Sequence, residues 1–127
     1  MRRVISPYSV NSLALACLPP AIEDTAYLKW YVDEVLEGRD LFALALQRLG
    51  APYWHSEANF LLVKIGALHK EFVVAMRRRN VLVRDRSNDP GCDGCVRITI
   101  GTLDHTAVGI AALEASLMEI KWRADEH

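Results

Sequence analysis

Residues 59–102 read NFLLVKIGALHKEFVVAMRRRNVLVRDRSNDPGCDGCVRITIGT, and their periodicity decides the fold. Residues 59–65 are an apolar run of types that suit a pleated strand, ended by Gly66. From 67 to 79 the spacing turns helical, with Leu68, Phe72 and Met76 at i, i+4 and i+8, and Asn80 suits the C-cap. Residues 81–84 predict a second strand, and 85–94, carrying Asn, Asp, Pro and Gly, predict a loop. Residues 96–100 alternate strictly: Val96, Ile98 and Ile100 face one way, Arg97 and Thr99 the other. The strands at 81 and 96 are expected to pair antiparallel across the loop.

Upstream, Leu28, Val32, Val35, Phe42, Leu46 and Leu49 recur at spacings of three, four and seven. They predict one long helix over 24–49, with Arg39 on the same stripe and Gly50 as the stop. Residues 9–18 suit a short helix halted by Pro19 and Pro20, and 1–7 an extended lead-in. Downstream, Thr102 suits the N-cap of a last helix reaching Trp122, with Leu103, Ile110, Leu113, Leu117 and Ile120 on its apolar stripe. The expected architecture is α+β: one domain over 1–127, a small three-stranded sheet with helices packed on it, preceded by a long helix.

Composition excludes several classes. A 127-residue chain, 51% hydrophobic and 24% charged, can bury a core. With 15 basic and 16 acidic side chains the net charge is 15 − 16 = −1, so there is no electrostatic case for nucleic acid or an anionic membrane. No apolar run approaches the roughly 18 residues that span a bilayer. Arg2 and Arg3 precede no apolar core of a signal peptide. Three cysteines make no disulfide framework, and a reducing, cytoplasmic setting is the expectation.

Arg84 and Arg97 are the candidate binding residues, because each projects from a strand with apolar neighbours. Guanidinium groups on rigid elements suit bidentate binding of carboxylate or phosphate. The competing reading is a surface ion pair with Asp85, Asp89 or Asp93. Cys92 and Cys95 form a C-x-x-C that lacks the second ligand pair a zinc site needs, and it precedes a strand rather than opening a helix, so it reads as two loop thiols. His55, His69 and His105 show no ligand spacing, and Arg77, Arg78 and Arg79 read as a solvated helix end. Tyr27, Trp30 and Tyr31 read as packing residues. No dinucleotide or phosphate-loop glycine motif is present. Residue chemistry by itself identifies no enzyme.

Four segments in order add to this: SPYSVN at 6–11, SEANF at 56–60, VLVRD at 81–85 and VRITIGT at 96–102. Together they resemble the C-terminal third of the histidinol-phosphate aminotransferases, over about residues 7–122. The resemblance implies the small domain of a fold type I, pyridoxal-phosphate-dependent enzyme of histidine biosynthesis, exchanging an amino group between glutamate and imidazole acetol phosphate. It implies that a large domain supplies the cofactor lysine, the aspartate on the pyridine nitrogen and the phosphate cup. It also implies that Arg97 grips the substrate's anionic group and that Arg84 helps to bind its phosphate.

Lys29, Lys64, Lys70 and Lys121 match no Schiff-base position of that family, so the chain alone is expected to bind no pyridoxal phosphate covalently and to be inactive. Related small domains, of a threonine-phosphate decarboxylase or an aromatic aminotransferase, remain open. So does a non-catalytic module for a small anion or a partner protein. Lacking a large domain to cover Val4 to Val10 and the helix with Leu13, Leu15 and Leu18, the chain is expected to self-associate, or to leave residues 1–18 disordered or swapped between copies.

Overall fold

The computed structural model of the chain describes residues 11–124, which fall into two units that divide between Val32 and Asp33. In the first unit, Asn11 is extended and its side chain accepts a hydrogen bond from the Leu13 N–H at 2.7 Å, the arrangement that starts a helix. That helix, α1 (Ser12–Glu23), does not stop at the prolines as expected but runs through Pro19 and Pro20. Each proline removes one backbone donor. Because α1 has no buried residue, the carbonyls left without partners are open to water rather than stranded. Asp24 then caps α2 (Thr25–Leu49), accepting from the Tyr27 N–H at 3.0 Å.

None of residues 11–32 is buried. Leu13, Leu15, Leu18 and Ile22 are exposed, as are Leu28 and Val32 of the expected stripe. Tyr27, Trp30 and Tyr31 do pack, but on one another, with ring centroids 5.4–6.3 Å apart, and they stay exposed. Soluble monomers rarely show apolar surface on this scale. Light scattering after size exclusion, across a wide concentration range, is therefore expected to show concentration-dependent self-association. A monodisperse monomer at every concentration would contradict it. Residues 4–10, expected to share in this surface, lie outside the described residues.

The second unit holds the core. After α2 ends at Gly50, in the left-handed region at φ 69°, come β1 (Tyr53–Trp54), β2 (Phe60–Lys64), a 3₁₀ turn (Gly66–Leu68), α3 (His69–Arg78), β3 (Arg84–Asp85), β4 (Cys95–Thr99) and α4 (Leu103–Glu119). The sheet is antiparallel in the order β1-β2-β4-β3. The α+β class stands, but the sheet has four strands where three were expected. The added strand, Tyr53–Trp54, is too short to show alternation, and it exists by pairing with Val63 and Leu62. The strand expected at 81–84 joins the ladder only at Arg84. Asn80 takes a left-handed φ of 61°, and the Val81 N–H bonds back to the Met76 carbonyl at 3.1 Å, closing α3 instead of entering the sheet.

Leu61 and Val63 of β2 and Val96 and Ile98 of β4 point to one face, where Phe42 and Leu46 of α2, Phe72 and Met76 of α3, and Leu113 and Leu117 of α4 complete the core. Arg39 leaves its stripe at the edge of this core and donates to the Ala58 carbonyl at 3.4 Å. The Thr102 side chain makes no cap bond; its hydroxyl meets the His105 ring nitrogen at 3.0 Å, and the Leu103 N–H goes to the Glu34 carboxylate at 2.9 Å. Arg79 ties α3 to α4, donating to the carbonyls of Ala75 and Ala115 and to the Glu119 carboxylate. Arg79, with Arg78 beside it, holds the Glu119 carboxyl below the ordinary carboxylate range. So Arg78 and Arg79 are engaged, and not simply solvated. Among the described residues no helix is long and apolar enough to cross a membrane.

Candidate anion site on the open sheet face

Paired residues of an antiparallel sheet share a face. The register Trp54↔Leu62, Leu62↔Arg97 and Arg97↔Arg84 therefore draws one row across all four strands, on the side away from the core. Phe60 and Thr99 form the next row. Apart from buried Cys95, the residues of this face are half-buried or exposed.

Arg84 and Arg97 thus stand directly opposite each other on neighbouring strands. Like charges in that relation destabilise a sheet unless something neutralises them. The nearby acids do not. Asp85 is committed to His69, at 3.0 Å, and to Ser87, whose hydroxyl and N–H donate at 2.6 and 2.9 Å. Ser87 foremost, and then His69, hold the Asp85 carboxyl below its ordinary range. Asp89 pairs with Arg86. Among the described residues neither Arg84 nor Arg97 has a carboxylate within 4 Å, so the competing ion-pair reading fails for both.

Arg97 is also incompletely bonded. Its Nε is buried without an acceptor, while its guanidinium carbon lies 5.2 Å from the centre of the Phe60 ring. A guanidinium donor removed from water and left unmatched is costly. Phe60 was not foreseen as part of this arrangement. Its sequence signals were its place near the head of the strand and at the end of the SEANF motif, neither of which points to Arg97.

The other sequence candidates go elsewhere. Cys92 and Cys95 are free thiols; Cys95 is fully buried, and burial raises its thiol pKa. Among the described residues no three metal-ligating side chains come together. Imine chemistry needs an enclosed, desolvated amine. Lys29, Lys70 and Lys121 are exposed and Lys64 is only half-buried. Lys64 and Lys70 border a cleft of about 450 Å³ with Ser87, Asn88 and Asp93, which encloses neither amine. Among the described residues no lysine is buried.

The aminotransferase class I and II family profile matches residues 1–113. The chain belongs to this aminotransferase family. It is 36% identical over 120 residues to histidinol-phosphate aminotransferase 1 of Cupriavidus pinatubonensis, covering 92% of this chain and 32% of that protein. It is 37% identical over 113 residues to the histidinol-phosphate aminotransferase of Symbiobacterium thermophilum, covering 89% and 31%. A Burkholderia pseudomallei structure assigned as an aminotransferase superposes with a TM-score of 0.73 at 30% identity, over 91% of this chain and 35% of that one. An Erwinia carotovora atroseptica structure assigned as a histidinol-phosphate aminotransferase gives 0.76 at 21% identity, over 95% and 34%, which speaks to the fold alone. This aminotransferase chain spans about a third of the length of the relatives it matches.

Proposed function

We propose that residues 1–127 form the small domain of a histidinol-phosphate aminotransferase, supplying the anion anchors of a substrate site completed by a large domain. The observation that carries this reading is the unneutralised cross-strand pair Arg84 and Arg97. Such a pair suits a doubly charged phosphate or a carboxylate, the groups on imidazole acetol phosphate and glutamate. Arg97, on a central strand, takes the anionic group in either half-reaction, the glutamate carboxylate in one and the phosphate in the other, and Arg84, on the edge strand, adds to phosphate binding. The names of the relatives support the substrate class. Pyridoxal phosphate would supply the electron sink in the whole enzyme, held by the large domain. A cytoplasmic setting accords with the free cysteines Cys17, Cys92 and Cys95.

One experiment has two arms. The chain alone, incubated with pyridoxal phosphate and borohydride, is expected to give no stoichiometric adduct on a single lysine and no transamination. The same chain joined behind the large domain of the Cupriavidus pinatubonensis relative is expected to transfer the amino group between histidinol phosphate and 2-oxoglutarate. A specific adduct in the first arm sinks the division of labour. A hybrid that binds cofactor yet prefers threonine phosphate or an aromatic amino acid sinks the substrate assignment.

A further inference from the structure

The geometry points to Phe60 as the positioning residue for Arg97, a role that rests on the anion-site reading above. Phe60 pairs with Thr99, two residues beyond Arg97 on β4, so it is the diagonal neighbour of Arg97 on the open face. Diagonal neighbours are within reach of each other when one is aromatic and the other long. The guanidinium carbon stands 5.2 Å from the ring centre, inside the range at which an aromatic face attracts a cation.

An arginine side chain has several free torsions, and ordering it to bind an anion costs entropy unless that order exists beforehand. Arg97 has no carboxylate within 4 Å among the described residues to hold it, and its Nε has no acceptor. The Phe60 ring, 5.2 Å from the guanidinium carbon, supplies the one attractive contact to the cation itself among the described residues; Leu62, directly opposite Arg97, offers only apolar bulk. A neutral ring attracts the cation without neutralising the charge, whereas an acid in the same place would compete with the ligand. Phe60 itself is held by β2, whose backbone ladder with β4 runs from Phe60↔Thr99 to Lys64↔Cys95. Cation and ring thus ride on the two best-paired strands of the sheet.

Side-chain NMR of the 127-residue chain tests this, with inorganic phosphate as the probe and the Arg97 Nε–Hε signal assigned by its loss in Arg97→Lys. In the unsubstituted chain the Arg97 protons should carry an upfield ring-current shift, its Nε–H should be rigid on the nanosecond scale, and phosphate should move its signal. In Phe60→Leu, which keeps apolar bulk without the ring, that rigidity should fall and phosphate affinity at Arg97 should drop by roughly threefold to tenfold. Phe60→Tyr should restore both, which a merely space-filling role would not require. Absence of the ring-current shift, or a Phe60→Leu chain as rigid and as tight for phosphate as the original, overturns the positioning role. Phosphate that moves no Arg97 signal in the unsubstituted chain overturns instead the anion-site reading beneath it.

Discussion

In a complete enzyme built around this segment, replacing Arg97 with alanine is expected to weaken substrate binding by about 2–5 kcal/mol, the range for removing one partner of a desolvated charge pair. The effect should reach both glutamate and the phosphorylated substrate, because in the proposed function Arg97, on its central strand, takes the anionic group in either half-reaction. Arg97→Lys should recover only part of the loss, since an ammonium cannot present the planar fork. Arg84→Ala should fall selectively on the phosphorylated substrate. Steady-state kinetics with each substrate separates the two arginines. Unchanged kinetics for both substrates in Arg97→Ala would refute the assignment.

The second large effect is on stability. Gly94 has φ 69°, and a Cβ built there would lie 2.6 Å from the Cα of Gly66, with the Gly66 carbonyl almost as near. The approach is this close because the Gly94 carbonyl accepts from both the Ile65 and Gly66 N–H groups, at 2.9 and 3.0 Å, clasping the long loop to the end of β2. A left-handed non-glycine residue costs roughly 1–3 kcal/mol, and here the backbone collision adds to it, so Gly94→Ala should lose about 3 kcal/mol or more. Gly91→Ala is the matched control. It too is left-handed, at φ 75°, but nothing lies within 4 Å of its added methyl. Gly91→Ala should therefore cost only about 1 kcal/mol. Urea unfolding midpoints compare the two directly, and equal losses would place the whole effect in φ rather than in the clasp.

How far the sequence reveals this molecule depends on which interactions are local. The alternation of residues 96–100 is a local property, so Arg97 was legible as an outward-facing strand residue. The α3 and α4 helices likewise follow from spacing. Local rules misled at Pro19 and Pro20, where an exposed helix tolerates missing donors that a buried one would not. Of the sheet order only the antiparallel pairing of β3 with β4 across the loop was legible. Pairing of β2 with β4 joins Phe60 to Thr99 across 38 intervening positions, and nothing in either strand names its partner. For that reason the Phe60 ring beneath Arg97 stayed hidden while both residues were in plain view. The four motifs from SPYSVN to VRITIGT carried the family, which the profile match over residues 1–113 bears out.

The two outermost strands of the sheet are only two residues long each. One follows Pro52, which has no amide hydrogen, and the other is the charged pair Arg84–Asp85. A strand edge invites a foreign strand through its row of unmatched main-chain groups, and these edges offer almost no row. The self-association expected above would therefore fall on the oily side chains of residues 13–32 rather than on strand edges.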